Sequence, residues 1–266
     1  MKNENNTIKN YLDKENRVKG WPAKKNNQWI VLDYLATKFK QGVEYTEEEI
    51  NEVLKEAQTC NDHCFFRREL FEKGFLDRST DGRVYWKTVK LIQEYGETER
   101  LIIKKATMKE AEKLQQLYDT SRVLKDVLGI EYNTDNIYKS LTEGDLPPIP
   151  NASKDFYRMM GIYIKETDQL MGLLELYHGY PTDQDLYIGF LYCHFDYQKQ
   201  GFGREVVEYV NKQAAECNFE RILVGVNLKN TSGLKFWHKC KFDKIERISS
   251  HQEENTTILA LEREVE

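Results

Sequence analysis

The sequence predicts an α/β protein of the α+β kind: a mixed central sheet flanked by helices, preceded by a smaller α+β domain. Three observations carry that expectation. The stretch 186–217 passes from an apolar strand, through a loop with two glycines, into an amphipathic helix. Strand and helix patterns alternate around it from about residue 100 onward. Ahead of it, residues 21–90 read as three short helices followed by a β-hairpin.

Residues 1–20 are polar and read as an N-terminal tail. From Trp29, Leu32, Leu35, Ala36 and Phe39 share one helical face, and Gln41-Gly42 ends that helix. Thr46-Glu-Glu-Glu49 is a capping box, in which Thr46 and Glu49 satisfy each other's exposed N–H groups. Ile50, Val53, Leu54 and Ala57 form the buried face that follows. A third helix runs from about Asp62 to Lys73 and stops at Gly74. The turn Asp81-Gly82 then joins two strand-like runs, 75–78 and 83–86.

Three helices and a hairpin follow the order of a winged helix. The run from Phe65 to Arg78 resembles the last helix and wing of bacterial regulators. Trp21 through Trp86 as a whole resembles an uncharacterised bacterial domain found alone, with regulator-type helix-turn-helix domains, or ahead of acetyltransferases. That resemblance implies no known activity. If the third helix enters a DNA major groove, Arg67, Arg68, Arg78 and Arg83 are the phosphate or base contacts. Residues 1–95 carry 17 basic and 16 acidic groups, however, and this balance favours a packing or substrate-recognition module over a nucleic-acid binder.

A charged linker at 91–99 separates this domain from the second, at 100–266. The second opens with the strand Leu101-Ile-Ile-Lys-Lys. A further capping box, Thr107-Met-Lys-Glu110, precedes a helix burying Ala111, Leu114 and Tyr118. Residues 121–141 read as helix in two pieces, and Asp145-Leu-Pro-Pro-Ile-Pro150 as an extended loop. Two strands, 156–165 and 170–177, lead to the central strand at 186–195. The helix after it buries Val206, Val207, Val210 and Ala214. A strand at 221–227, a helix at 230–242 and strands near 242–248 and 257–263 complete the order.

A strand, a glycine-bearing turn and a helix N-terminus make an anion-binding device. The first helical N–H groups lack intrahelical partners, and the macrodipole adds positive charge. The spacing Gln198-x-x-Gly201-x-Gly203 is neither G-x-G-x-x-G nor G-x-x-x-x-G-K-[ST]. It resembles the acyl-CoA pyrophosphate loop of the GNAT superfamily of N-acetyltransferases, and the element order over about 100–266 is similar to the GNAT fold.

The resemblance implies acetyl-CoA as co-substrate, no metal, and an amine acceptor attacking directly in a ternary complex. It places Gln198, Lys199, Gln200, Gly201, Phe202, Gly203 and Arg204 at the diphosphate, and Leu191 and Cys193 along the pantetheine arm. Asn230 matches an asparagine facing the cofactor, and residues 121–141 match a region bordering the acceptor. The strand position that holds a glutamate base in some members is Tyr187 here. Glu175 on the neighbouring strand is a base acting through water, with His178 and His194 as further candidates. Trp237 stands where the family has a thiolate-protonating tyrosine, and its indole cannot give up that proton. Lys241-Phe242 replaces the usual Gly-Phe.

Five cysteines, an odd number mostly inside predicted elements, read as free thiols. Cys60-x-x-His63-Cys64 supplies three potential zinc ligands without a fourth, so packing is the preferred reading. No apolar run reaches the roughly 18–20 residues of a membrane span, and the polar start is not a secretory signal. Cytoplasmic residence is expected. Residues 96–266 carry 22 basic and 28 acidic groups, which suits a cationic acceptor or a solvated surface. Two functions stay open: an N-acetyltransferase with an appended module, or a transcriptional regulator whose second domain senses acyl-CoA. A third is a scaffold that takes another acyl donor or none. Gly203→Val is expected to obstruct the phosphate and weaken CoA binding in calorimetry, with the fold retained.

Overall fold

Side-chain caps set where the second and third helices of the first unit begin. In the computed structural model, which describes residues 8–121, 134–251 and 256–266, the chain divides into two units, Met1–Val89 and Lys90–Glu266. The first contains α1 (Lys25–Ala36), β1 (Glu44–Thr46), α2 (Glu47–Ala57), α3 (His63–Glu72), β2 (Leu76–Arg78) and β3 (Val84–Lys87). The Thr46 amide donates to Glu49 Oε2 (2.7 Å) and the Glu49 amide to Thr46 Oγ1 (3.3 Å), closing the capping box. Asp62 caps α3 by accepting from the Phe65 amide (3.3 Å). The strands form an antiparallel sheet in the order β1-β3-β2. Leu32, Leu35, Phe39, Ile50, Leu54, Phe66, Leu70 and Leu76 fill its core.

Two features depart from expectation. β1 is too short to show a period in the sequence. Within 1–20, residues Ile8–Tyr11 form a 3₁₀ turn, Val18 bridges both Leu12 and Gln58, and Val18 is fully buried. A single valine between two cations has no local pattern, so the segment resembled a tail. The four arginines named as groove contacts each have neighbours within the unit. Arg67 pairs with Glu47 (2.6 Å) and donates to Asn51 (2.7 Å), and Arg68 lies 3.9 Å from Glu72. Arg78 rests over Phe71, and Arg83 lies 3.6 Å from Asp81.

The second unit holds β4 (Tyr95–Glu97), β5 (Leu101–Lys105), α4 (Ala111–Asp119), α5 (Asn136–Glu143), β6 (Tyr157–Ile164) and β7 (Gln169–His178). It continues with β8 (Asp185–Cys193), α6 (Phe202–Glu216), β9 (Arg221–Asn227), α7 (Thr231–Lys239), β10 (Lys244–His251) and β11 (Thr256–Glu264). One sheet runs β10-β11-β9-β8-β7-β6-β5-β4, and only β8 and β9 are parallel. Alternate side chains feed two cores. On one face Met160, Ile162, Leu174, Leu176 and Ile188 meet Val206, Val207 and Val210 of α6. On the other, Met159, Leu173 and Tyr177 meet Leu114 and Tyr118 of α4 and Ile137 of α5.

Residues 91–99 are thus not a plain linker: they supply the edge strand β4 and the buried Ile92. Of the helical reading for 121–141, residues 122–133 lie outside those described. Among the described residues no helix is long and apolar enough to cross a membrane.

The parallel pair is pinned at its start. Asp185, fully buried, accepts from Arg221 Nε and Nη2 (both 2.8 Å) and from Thr182, while Arg221 also reaches Glu262 (2.6 Å). Arg221→Leu leaves that carboxylate buried without its cation. It should cost about 3 kcal/mol in urea denaturation of the full chain.

Candidate active site

β8 and β9 pair in register from Asp185↔Arg221 to Ile188↔Val224, and there the pairing stops. The cause is a β-bulge: Leu176 faces Ile188 and Glu175 faces Phe190, so Gly189 has no partner on β7. Beyond it β8 stays with β7 as far as Cys193, while β9 stays with β11 as far as Asn227. A slot opens between them, with one edge of β8 free for backbone hydrogen bonds. Leu191 and Cys193 sit half-buried on the α6 and α7 face. On the other face Tyr187 reaches across β9, its hydroxyl 2.5 Å from where a side chain on Gly225 would begin. It forms a rung near the closed end of the slot.

The chain leaves β8 through a short turn and enters α6. Gln198 Nε2 donates to the Cys193 carbonyl (2.9 Å) and Gln200 Nε2 to the Asp196 carbonyl (2.6 Å), so both amides shape the loop. Gly201 is the N-cap of α6 in the left-handed conformation (φ 87°), with no side-chain cap. The amides of Phe202, Gly203 and Arg204 therefore lack a capping acceptor at the positive end of a 15-residue helix. Arg100 braces this corner: it pairs with Glu205 (2.7 Å), donates to the Gln200 carbonyl (3.2 Å) and stacks over Phe202 (4.1 Å). Lys199 and Arg204 are exposed.

The opposite face of the sheet carries carboxylates. Glu175 on β7 is only 4% exposed and sits beside the bulge, 3.9 Å from where a Cβ on the exposed Gly189 would lie. Tyr157 is its diagonal neighbour on β6. After α5, Gly144 turns left-handed (φ 82°), and a Cβ there would lie 3.5 Å from Tyr157; this turn brings in Asp145. Burial first, then the Asp145 charge, push the Glu175 carboxyl up to about 7, against the Tyr157 hydroxyl, which lowers it. Asp145 is itself pushed up by burial, although solvent reaches it.

Residues 131–242 match the acetyltransferase (GNAT) family, and residues 17–87 match an uncharacterised family conserved in bacteria, DUF2087. The chain carries a GNAT acetyltransferase domain. The fold agrees with two solved structures. An acetyltransferase from Thermus thermophilus is 19% identical, with a TM-score of 0.50 over 62% of this chain and 96% of that one. A probable GNAT acetyltransferase from Chromobacterium violaceum is 13% identical, with a TM-score of 0.55 over 67% and 90%. No curated protein matches the chain.

Within the GNAT domain the structure sorts the residues picked from sequence. Asn230 caps α7, its Oδ1 accepting from the Gly233 amide (2.9 Å). Trp237 is a core side chain, 5.0 Å from both Phe236 and Phe242. His194 caps the turn at 195–197 and stacks on Phe195. His178 is structural: its Nε2 accepts from the Ile92 amide (3.2 Å), so its Nδ1–H donates to the Phe156 carbonyl (2.7 Å). A side chain at Gly203 would start 3.1 Å from Phe236 and 4.0 Å from Cys193 Sγ. Gly203→Val would therefore crowd α7, which changes the expected reason for its effect. Sequence reasoning missed Arg100, Asp145, Tyr157 and Gly189. Only Gly189 carried a signal, a glycine inside a strand. Among the described residues no group of three or more His, Cys, Asp or Glu is placed to hold a metal.

Two buried groups give opposite pH dependences. Burial lowers His178 from 6.5 to about 4, so its contribution to stability is full above pH 6.5 and lost as pH falls toward 4. Glu175 rises from 4.5 to about 7, so its contribution is full below 4.5 and lost as pH rises through 7. Nuclear magnetic resonance should find the His178 ring neutral down to near pH 4. Glu175→Gln should stabilise the chain at pH 8 by roughly 2 kcal/mol, and not at pH 4.

Proposed function

We propose that the chain is an acetyl-CoA-dependent N-acetyltransferase that transfers the acetyl group to an amine by direct attack in a ternary complex. The observation that carries this reading is the bulge at Gly189. Beside it lie the free edge of β8 and the buried Glu175, and the uncapped start of α6 follows β8 in the chain, which supports this reading. The residues fit the co-substrate: the amides of 202–204 suit a diphosphate, and the open edge of β8 at Leu191 and Cys193 suits an amide-bearing arm. Lys199 and Arg204 add positive charge at the loop. Acetyl-CoA would supply an activated acetyl group there.

Burial pushes the Cys193 thiol up to about 12, so it stays protonated at neutral pH and is a poor acyl carrier. This supports direct transfer. Glu175, ionising near 7, takes the proton the amine must lose, directly or through water. Tyr187 holds the closed end of the slot, and Trp237 keeps α7 packed beside it. The module at 17–87 is read as a packing or recognition domain.

The test is thiol release from acetyl-CoA across an amine library, beside calorimetric CoA binding. Glu175→Gln should lower kcat/KM by about 10²–10⁴ and remove a limb near pH 7. Lys199→Glu with Arg204→Glu should weaken CoA binding roughly tenfold at low salt and less at high salt. CoA binding that ignores those charges, or no thiol release with any amine, overturns the reading.

A further inference from the structure

One stripe of α6 is covered by the stretch that leads into the sheet of the second unit. Gly201, Glu205, Tyr209 and Gln213 follow one another at four-residue spacing, about one turn each, and meet successive points of residues 93–100. The Gln93 amide donates to Gln213 Oε1 (3.1 Å). Gly96 lies against the Tyr209 ring, where a Cβ would start 2.3 Å from the hydroxyl and 2.6 Å from Cε2. The Thr98 hydroxyl (2.5 Å) and the Arg100 amide (2.9 Å) donate to Glu205 Oε1, and Arg100 Nε donates to Oε2 (2.7 Å). Arg100 Nη2 ends 3.5 Å from where a Cβ on Gly201 would lie. The stretch is a strap that runs antiparallel to α6, from its last turn to its N-cap.

The strap's own strand is short. β4 pairs with β5 over three residues only, so the contacts with α6 carry much of its docking. Ile92 anchors the near end, buried in the core with its amide donating to His178 Nε2 (3.2 Å). At Gly96 the approach is too close for any side chain, because Tyr209 is itself packed into that core. The far end meets charge. Glu205 stands in the first turn of α6, where a bare carboxylate would repel a diphosphate at the amides of 202–204. Docking neutralises it with Thr98 and Arg100, and the same contacts hold the Arg100 guanidinium beside Gly201.

We infer that residues 92–100 form a docking strap that sets coenzyme affinity through α6, with Gly96, Tyr209 and Gln213 as positioning residues that do not touch the coenzyme. The inference rests on the reading of the α6 turn as a diphosphate site. Lys90 follows directly on the first unit, so coenzyme affinity depends on chain that arrives from that unit.

The experiment uses the full chain with CoA as the probe, and reads calorimetric affinity beside residue-resolved hydrogen exchange. Gly96→Ala should undock the strap and weaken CoA binding about tenfold. Gln213→Leu removes the anchor about 12 Å along the helix from Glu205 and should weaken binding roughly threefold. It carries the test where Gly96→Ala does not fold. Adding Glu205→Gln to Gly96→Ala should recover part of the loss, since the bare carboxylate is then gone; a purely structural defect would not respond. By reciprocity, CoA should slow exchange of the Ile92 and Gln93 amides in the unaltered chain. Unchanged affinity in the two single variants, or no recovery with Glu205→Gln, overturns the strap and spares the coenzyme turn. No CoA binding by the unaltered chain overturns the coenzyme turn instead. Exchange of the Glu205 amide, which donates to the Gly201 carbonyl (3.1 Å), then decides whether the strap steadies α6. Faster exchange in Gly96→Ala and Gln213→Leu supports it, and unchanged exchange defeats it.

Discussion

Everything at the site depends on a parallel strand pair that is held at one end and released at the other. Asp185 and Arg221 lock the first rung of β8 and β9 with a two-point ion pair in the interior. Just past the last paired rung the Gly189 bulge shifts β8 against β7, and the strands part. A rigid start and an abrupt end make a slot of defined width, which a gradual twist would not. Arg100, Glu205 and Thr98 then fix the loop beside it, so the free amides at the start of α6 are held in place.

The same bulge separates two chemistries by a single sheet. Strand alternation sends Leu191 and Cys193 to the α6 face and Glu175, Phe190 and Tyr192 to the other. One side is apolar and ends in positive helix amides; the other is acidic and aromatic. Gly189 is the point at which they come closest. Glycine suits it because it is the unpaired residue and leaves room beside Glu175. The Glu175 carboxylate on β7 thereby lies beside the point where β8 leaves β9.

The glycine-bearing turn and the helix it opens were readable because they are local. Gln198, Gly201 and Gly203 are neighbours in the chain, and the helix after them shows its buried face through Val206, Val207 and Val210. Both capping boxes were equally plain. The acidic and aromatic face of the sheet was not readable. Asp145, Tyr157, Glu175 and Gly189 come from four segments, and Tyr157 looks like any strand tyrosine until it is found as the diagonal neighbour of Glu175. Adjacent aromatics posed a similar problem: Phe236 faces Gly203 whereas Trp237 enters the core, which only the rotation of α7 decides. Val18, a single apolar residue in polar surroundings, and Ile92, in a short charged stretch, became core through contacts made far along the chain.

The sequence by itself determined the α/β class, the order of strands and helices, and the glycine turn that opens α6, because hydrophobic period, caps and glycine freedom act over a few residues. Tertiary structure alone decided which carboxylate meets the slot, which histidine is merely structural, and which arginine steadies the loop. Those assignments depend on register, on the face a side chain takes and on loss of solvent. Such properties belong to packed strands and have no counterpart in a linear pattern.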